Sequence, residues 1–252
     1  MKQILIIVVF SFVGVGSFAQ ARFIDEGRIV YERKFAQVTL LESTQKPGEE
    51  NMWIAEFKKV APRVVTDSFS LNFNKRSSYY SAIKESQETP FLFPLLKADP
   101  VSFVYQDLSN GTTTARQQVF ETSFFIADSA KKLNWKIGNE VRDIAGFECR
   151  KATTKICDSV VVVAFYTEQI IPSVGPQNFS GLPGAILGIA VPRLSLTLFA
   201  TRLELNGKNP SSLLKQDKKA KPTTREQMGK DVLQGVKDWG DNYQISLWGL
   251  AL

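Results

Sequence analysis

The chain has 252 residues, and 31 lysine and arginine residues against 25 aspartate and glutamate residues give it a formal net charge of +6. Its hydrophobic fraction of 44% is that of an ordinary globular protein and argues against a disordered chain. Because the sequence contains no histidine, Ser-His-Asp and Cys-His nucleophiles, imidazole bases and histidine-ligated metals are excluded. Its two cysteines are too few for a disulfide-dense scaffold or a thiolate zinc site.

Residues 1–19 are predicted to be a signal peptide. Lys2 provides a positive start, residues 4–15 are hydrophobic, and residues 17–19 form a small-x-small cleavage sequence. A membrane span would need about 20 apolar residues, whereas glycines and serines interrupt this run. We therefore expect cleavage after Ala19, export to the periplasm or the extracellular space, and no transmembrane span in the product. No cysteine near the cleavage sequence could accept a lipid anchor.

Alternating apolar and polar side chains predict strands through most of the chain. Residues 27–35 place Arg33 on the same face as Tyr31, and Asp67 is the one polar exception on the apolar face of residues 65–73. Short turns between such segments favour antiparallel pairing. The further predicted strands are residues 77–83, 101–106, 114–121, 133–137, 147–156, 160–167, 185–191 and 194–205.

The fold class that follows is mainly β (α+β), an open antiparallel sheet or half-barrel covered by one or two helices. Residues 160–165 are continuously apolar, which is typical of a central strand covered on both faces. The covering helices are predicted at residues 50–60 and at residues 226–239. The capping box Thr223-x-x-Glu226 opens the second of them. Their apolar faces are Trp53, Phe57 and Val60 in the first helix, and Met228, Val232, Val236 and Trp239 in the second.

After the signal peptide, residues 20–207 are predicted to form the β-rich domain. Residues 208–252 combine a basic linker, an amphipathic helix and an apolar tail, which we expect to dock on the same domain. The sequence pI is about 9.2, but no aromatic residues interleave the basic residues of the linker. The stacking platform of a single-strand binder is therefore missing, and no nucleic-acid partner is predicted.

Two patterns could carry catalysis. Ser81 and Lys84 match the S-x-x-K of acyl-serine enzymes, but the companion motifs are absent and the segment is predicted to be a strand. Asp25 and Glu26 are adjacent carboxylates, which point to opposite faces of an extended chain. The sequence also has no phosphate loop, dinucleotide fingerprint or EF-hand loop. We therefore assign no catalytic residue and predict no cofactor and no metal.

Residues 166–189 read YTEQIIPSVGPQNFSGLPGAILGI and contain a glycine-leucine-proline-glycine signature. This stretch resembles the bacterial GLPGLI family. Further segments that match in the order of the family are residues 135–137, 144–153, 164–167, 175–176 and 179, and residues 27–32 are similar to its opening strand. The sequence departs from the usual pattern at Phe165, Ala185 and Gly188, where tryptophan, leucine and an acidic residue are more common. The resemblance implies an exported protein and provides no catalytic residues to carry over.

The motif itself is predicted to be structural. It comprises Gly175, Pro176, Phe179, Gly181, Leu182, Pro183 and Gly184. Glycine freedom beside the fixed φ of proline suits a sharp turn at which backbone approaches backbone, and Leu182 can anchor that turn in the core. A loop that grips a ligand is the alternative, although none of these residues is an acid, a base or a nucleophile.

Residues 89–96 form an apolar segment with two prolines, which disfavour both a helix and a central strand. We predict a hydrophobic loop there. If the loop folds under the sheet it belongs to the core. If it is exposed, Phe91, Phe93 and Leu95 form an apolar flap for a lipid or a partner protein, and these three residues are the candidate ligand-binding residues.

Cys149 and Cys157 are predicted not to form a disulfide. If residues 147–156 are one strand, eight residues at about 3.3 Å each place the cysteines about 26 Å apart, whereas a disulfide requires Cα atoms within about 7 Å. A hairpin centred on Thr153 would bring them together, but Thr153 and Thr154 favour a strand over a tight turn. We expect Cys149 to be buried and Cys157 to lie near a hairpin end.

These patterns favour a non-enzymatic binding or assembly protein of the cell envelope. Its partner would be an envelope protein or a lipid. The alternative is a hydrolase-type enzyme that uses carboxylates or a Ser-Lys pair without histidine, for which a cluster of acids or a buried lysine in a cleft would be needed. The oligomeric state and the ligand do not follow from the sequence.

Overall fold

The computed structural model describes residues 23–45, 52–86, 90, 93–157, 159–215, 220–237 and 243–251; the predicted signal peptide lies outside this part of the chain. The strands are β1 (Gly27–Phe35), β2 (Val65–Phe73), β3 (Ser77–Ala82), β4 (Phe103–Asp107), β5 (Thr112–Val119), β6 (Thr122–Ser129), β7 (Lys136–Ile144), β8 (Phe147–Ile156), β9 (Val160–Thr167), β10 (Ala185–Val191), β11 (Leu196–Glu204) and β12 (Lys221–Thr223). The α-helices are α1 (Gln37–Ser43), α2 (Met52–Val60), α3 (Pro210–Leu213), α4 (Arg225–Val236) and α5 (Tyr243–Ala251), and short 3₁₀ helices occur at Pro94–Leu96 and Pro192–Leu194.

These strands form one open sheet in the order β12-β6-β5-β4-β3-β2-β1-β11-β10-β9-β8-β7. Neighbouring strands are antiparallel except β12 and β6, which run parallel. The mainly β, open-sheet fold is confirmed, whereas the prediction of a purely antiparallel sheet is wrong. The chain crosses from β11, in the middle of the sheet, to β12 at its outer edge. A strand that arrives by such a crossover is not bound by the antiparallel geometry that a hairpin imposes.

Two strands differ from the prediction. The strand expected at residues 133–137 begins at Lys136 and continues to Ile144 as β7, and β6 has no counterpart among the predicted strands. β7 is an outermost strand with exposed residues on both faces, so it lacks the alternation on which strand prediction depends. β6 follows β5 through a tight turn at Phe120, whose φ is +52°. That turn contains no glycine, asparagine or proline to signal it.

The central position predicted for β9 is confirmed, since it lies between β10 and β8. The prediction that β9 is buried on both faces holds only for its C-terminal half. Every side chain from Ala164 to Thr167 is buried, but Val161 is 40% exposed. The helical cover lies elsewhere, because α4 packs on β6.

The apolar face predicted for the first helix is wrong. Phe57 of α2 is buried, but Trp53 and Val60 are exposed. Phe57 packs instead against Val38 and Leu41 of α1, a helix that the sequence did not predict. α1 has only seven residues and no side-chain cap at its N-terminus. Its sequence therefore lacks both the long periodic pattern and the capping residue from which helices are predicted.

The apolar face predicted for the second helix is confirmed at Met228, Val232 and Val236 of α4, which pack with Phe124 of β6. Trp239 lies outside the described residues. The capping residue is Thr224, one position after the predicted one: its hydroxyl oxygen accepts a hydrogen bond of 3.2 Å from the backbone nitrogen of Gln227.

The apolar tail forms α5, which contacts α4 and both 3₁₀ helices. Leu250 joins the apolar cluster that α4 forms with β5 and β6, and Ile245 belongs to the main core. Within the described residues, no helix has the length and apolar character required to cross a membrane.

The prediction for the cysteines is confirmed. β8 spans the predicted residues, and no disulfide joins Cys149 to Cys157. Cys149 is buried, and this burial raises the pKa of its thiol to about 12, because the thiolate is poorly solvated there. Cys157 follows the end of β8 and is exposed. Cys149 thus packs as a small apolar side chain.

The two charged positions on the apolar faces of β1 and β2 form a buried ion pair. Arg33 and Asp67 lie directly opposite each other, and they are 4% and 3% exposed. The Arg33 Nε donates to Asp67 Oδ2 at 3.1 Å, and Nη2 donates to the same oxygen. The Ser86 hydroxyl is hydrogen-bonded to Asp67 Oδ1. Each charge therefore has a partner inside the core, which offsets part of the desolvation cost.

Asp67→Ala should lower the free energy of unfolding by about 3–5 kcal/mol, because it leaves the Arg33 guanidinium buried without its carboxylate. The double variant Arg33→Met, Asp67→Leu should lose less than this single variant, since apolar side chains then replace both charges. Urea unfolding followed by circular dichroism measures both. A double variant less stable than Asp67→Ala would contradict this account.

Candidate functional site

A cleft of about 120 Å³ opens beside the Arg33–Asp67 pair, and Arg33 lines it. Strands β2 to β5 provide the floor, the Pro94–Leu96 turn provides one wall, and the segment at residues 177–178 and helices α4 and α5 complete the rim. We call it the Tyr80 cleft. The lining residues that matter for its chemistry are Tyr80, Leu95, Leu96, Gln177, Arg225 and Leu250.

The floor of the Tyr80 cleft is a stack of aromatic rings over the buried arginine. The Arg33 guanidinium carbon lies 5.0 Å from the centroid of the Phe69 ring. Phe69 and Tyr80 are stacked, with ring centroids 5.3 Å apart and planes inclined by 3°. Because Leu71 and Tyr80 are opposite each other in the register of β2 and β3, the tyrosine shares the face of the sheet on which the ion pair lies.

The hydroxyl of Tyr80 has no hydrogen-bond partner among the described residues, although the residue is only 4% exposed. Burial raises the pKa of Tyr80 well above its usual value; the positive charge of Arg33 opposes this shift and the negative charge of Asp67 adds to it. The hydroxyl is therefore neutral and can both donate and accept a hydrogen bond. An unsatisfied buried hydroxyl costs about 1–3 kcal/mol.

Gln177 contributes a second unsatisfied atom. Its Oε1 is buried without a hydrogen-bond partner among the described residues. Its backbone has φ of +55°, the left-handed region that residues other than glycine rarely adopt. Such strain costs on the order of 1 kcal/mol or more and is concentrated at functional sites. The neighbouring Gly175 permits this conformation of the loop, because a Cβ there would lie 2.5 Å from the carbonyl oxygen of Phe179.

One charged group at the rim is Arg225, the first residue of α4, and Lys97, Asp99 and Arg116 also line the cleft. Its Nη2 donates to Oδ1 of the buried Asn178 at 3.0 Å. Burial lowers the pKa of the guanidinium, and the negative charge of Asp128 opposes this shift. None of the ion pairs among the described residues includes Arg225. Several of its N–H donors therefore remain for a ligand.

Ser86 connects the buried ion pair to the wall of the cleft. Its hydroxyl contacts Asp67, and its Oγ accepts a hydrogen bond of 2.9 Å from the backbone nitrogen of Ala98. The backbone nitrogen of Ser86 donates to the Ala98 carbonyl oxygen at 3.1 Å. Ala98 lies just after the Pro94–Leu96 turn, so the ion pair fixes the position of this wall.

The three candidate ligand-binding residues have different locations. Leu95 lines the Tyr80 cleft. Phe93 is buried in the main core, where its ring lies 5.6 Å from that of Phe35 in an edge-on contact. Phe91 lies outside the described residues. The two described members of the predicted flap are thus split between the cleft and the core.

The glycine-leucine-proline-glycine motif forms a turn that leads into β10. Leu182 is 2% exposed and belongs to the main core. Gly181 and Gly184 have φ of +91° and +121°. A Cβ on Gly184 would lie 2.1 Å from the carbonyl oxygen of Thr167. The backbone nitrogen of Gly181 donates to the Ser173 hydroxyl at 2.9 Å. Backbone does approach backbone closely at this turn.

The residues of the alternative enzymatic hypothesis are not assembled into a site. Ser81 is on β3, whereas Lys84 lies beyond the end of that strand and is exposed. The acyl-serine mechanism requires a desolvated lysine beside the hydroxyl. Asp25 pairs with Lys75 at 2.7 Å on the surface.

Sequence reasoning missed the residues that converge on the cleft. Arg33 and Asp67 carried a signal, because both lie on otherwise apolar strand faces. Tyr80, Gln177 and Arg225 carried none of comparable strength, since they lie on a strand, a loop and a helix that are far apart in sequence.

The described residues form a mainly β protein with an open sheet, and the Tyr80 cleft is a small cavity beside its buried ion pair. A family model described as "Protein of unknown function (Porph_ging)" matches residues 153–188, which include the glycine-leucine-proline-glycine motif. No curated protein matches the chain in sequence.

Two structures of PNGF-II, in the C2 and P21 space groups, are similar to this chain, with TM-scores of 0.50 and 0.51 and 15% sequence identity. Each match covers 82% of this chain and 32% of PNGF-II, so the chain spans about a third of the length of that protein. An uncharacterized conserved protein from Thermus thermophilus gives a TM-score of 0.37 at 5% identity, over 78% of this chain and 90% of its own. The likeness to PNGF-II shows the fold alone.

Gly184→Ala should lower the free energy of unfolding by about 3 kcal/mol or more, because it combines backbone strain with a clash against the Thr167 carbonyl. Gly181→Ala is the matched control. It adds strain only, since the nearest atom to its Cβ would be 3.8 Å away, and should cost about 1 kcal/mol. Thermal and urea unfolding compare the two; equal losses would show that the close approach at Gly184 is unimportant.

Proposed function

We propose that this chain is a non-enzymatic binding protein of the cell envelope and that it holds its ligand in the Tyr80 cleft. The observation that carries the proposal is the pair of buried, unsatisfied atoms, Tyr80 Oη and Gln177 Oε1, on residues that line this cleft. Native proteins satisfy nearly all of their buried polar groups. A bound ligand would provide the missing partners.

A ligand would relieve energetic costs that the free protein already bears. The free protein bears a cost of about 1–3 kcal/mol for each unsatisfied atom, and the left-handed backbone of Gln177 adds to that cost. A ligand that hydrogen-bonds both atoms recovers this energy on binding. If the Tyr80 position served only the core, phenylalanine would fill it without the cost of an unsatisfied hydroxyl. Retained instability of this kind is typical of sites that evolved for binding.

The lining favours an amphipathic ligand. Leu95, Leu96 and Leu250 provide apolar surface in the same cleft as Tyr80 and Arg225, and such a combination of apolar surface with a few polar groups is the usual composition of ligand sites. A volume of about 120 Å³ has room for about four water molecules at about 30 Å³ each. The site therefore fits one small group, such as a single side chain with its polar end, in an envelope protein or a lipid.

The envelope location and the finer family assignment are part of the same proposal. The positive start, hydrophobic stretch and cleavage sequence of residues 1–19 support export. The glycine-leucine-proline-glycine motif within residues 166–189 supports membership of the GLPGLI family, and the matching family model overlaps this stretch.

Export predicts that the mature chain begins at Gln20. Expression in a bacterial host, osmotic release of the periplasm and N-terminal sequencing measure this directly. Replacing Ala19 by a bulky residue should block cleavage, because the site requires a small side chain. Recovery of the wild-type chain from the cytoplasm with Met1 retained would contradict export.

The free protein should become more stable by about 1 kcal/mol when Tyr80 is changed to Phe, because the variant removes an unsatisfied hydroxyl and keeps the stacked ring. Tyr31→Phe is the matched control. The Tyr31 hydroxyl donates to the Ile186 carbonyl oxygen at 2.7 Å in the core, so its loss should destabilise by about 1 kcal/mol. Urea unfolding distinguishes the two signs. If both variants were destabilised alike, the Tyr80 hydroxyl would be structural and the binding role would lose its main support.

A further inference from the structure

We propose that the ligand of the Tyr80 cleft is an N-acylated apolar amino acid with a free carboxylate. This inference rests on the proposed binding function and adds the chemical class of the ligand. The carboxylate would bind the guanidinium of Arg225, the amide N–H would donate to Gln177 Oε1, and the apolar side chain would lie against Leu95 and Leu250. The residue could be the C-terminal residue of a polypeptide or a small acylated amino acid, which share this chemistry.

The anionic group is inferred from Arg225. A guanidinium offers five N–H donors in a fixed plane that matches a carboxylate in two parallel hydrogen bonds. Among the described residues, the side-chain partner of Arg225 is the neutral amide of Asn178. The carboxylate of Asp128 accepts a hydrogen bond from the backbone nitrogen of Arg225, but none of the ion pairs among the described residues includes the guanidinium. A carboxylate on the ligand would give this partly buried cation an ion pair.

Two carboxylates near Arg225 and the cleft, those of Asp99 and Asp128, accept hydrogen bonds from groups other than the Arg225 guanidinium. Asp99, which also lines the cleft, accepts hydrogen bonds of 2.9 Å from the Val101 backbone nitrogen and from the Ser102 hydroxyl. Asp128 accepts a hydrogen bond of 3.4 Å from the backbone nitrogen of Arg225, at the start of α4. Lys97 and Arg116 also line the cleft, but Lys97 is paired with Glu85 and the Arg116 Nε donates to the Ser123 hydroxyl at 2.9 Å. We therefore assign the anion of the ligand to the guanidinium of Arg225.

The donor on the ligand is inferred from Gln177. Its unsatisfied Oε1 is an acceptor, so the ligand must present an N–H or O–H there. An amide N–H fits better than a free ammonium group, because an ammonium so close to Arg225 would be opposed by a charge of the same sign. Tyr80 Oη can donate to the acyl carbonyl oxygen or to a free lone pair of a carboxylate oxygen.

The apolar part is inferred from the wall and from its packing. Leu96 is buried in the core, whereas Leu95 is only partly buried and lines the cleft. Gly249 of α5 packs so closely on Leu96 that a Cβ would lie 2.9 Å from its side chain. The wall is therefore preformed, and the small volume limits the apolar part of the ligand to one side chain of leucine size at most.

The test is isothermal titration calorimetry of the full mature chain with N-acetyl-L-leucine and, as a matched control, N-acetyl-L-leucinamide. The acid should bind at least tenfold more tightly than the amide, since the amide has no charge for Arg225. Equal binding of both, or binding of neither, overturns the inference. The proposed function is judged separately by the stability of Tyr80→Phe, so the two failures can be told apart.

Two variants assign the contacts. Arg225→Gln should weaken binding of N-acetyl-L-leucine at least tenfold, whereas Arg202→Gln, which removes the same charge from an exposed site on β11, should leave it unchanged. Tyr80→Phe should also weaken it, and this variant keeps the fold even if Arg225→Gln does not. The inference is overturned if Tyr80→Phe binds as tightly as the wild type and the two arginine variants lose equal affinity. Binding would then depend on the net charge of the protein and not on the cleft.

A last pair of titrations identifies the source of the ligand. N-acetyl-Ala-Ala-Leu that binds more tightly than N-acetyl-L-leucine supports the C-terminus of a polypeptide, and the reverse order supports a small acylated amino acid. Vesicles of phosphatidylglycerol provide the competing chemistry. The inference is wrong if the wild type binds these vesicles, Arg225→Gln does not, and neither N-acetyl-L-leucine nor N-acetyl-Ala-Ala-Leu binds. The site would then recognise a lipid phosphate.

Discussion

The buried ion pair between Arg33 and Asp67 is the interaction on which the rest of the site depends. Two opposed charges at one register position of β1 and β2 hold each other inside an apolar core, where either charge alone would be costly. The ion pair also contacts two parts of the cleft. Its carboxylate holds Ser86 and, through it, the wall after Pro94–Leu96. Its guanidinium lies against Phe69, which in turn supports Tyr80. The cleft is therefore positioned by the core rather than by a mobile loop.

The glycine-rich turn plays a comparable role for the opposite rim. Close packing at Gly184 and the tight loop at Gly175 allow the chain to double back between β9 and β10. Trp135 reinforces this arrangement, since its indole nitrogen donates to the Ser180 carbonyl oxygen at 2.8 Å. The strained residue, Gln177, lies inside this rigid frame. Strain of that kind persists only where the surrounding structure enforces it, and here it places the amide of Gln177 in the lining of the cleft.

The C-terminal part of the chain completes the site. β12 adds to the outer edge of the sheet beside β6 and delivers α4 with Arg225 at its first turn. α4 is then anchored by its own apolar stripe on β6, and α5 packs over the Pro94–Leu96 turn. Arg225 thus approaches Asn178 across a large sequence separation. A site assembled in this way from several strands, a turn, a loop and two helices leaves no short motif.

The sequence by itself determined the elements with strong local signals. Alternation located β1 and β2, the run of β-branched residues located β9, and strand length kept Cys149 and Cys157 apart. The Met228, Val232 and Val236 stripe gave the docking face of α4. The tertiary structure alone decided the parallel edge strand, the exposed β7, the uncapped α1 and the cleft. The physical reason is that pairing direction and an unsatisfied buried atom depend on what surrounds a residue, whereas sequence patterns record only its own polarity and that of its neighbours along the chain.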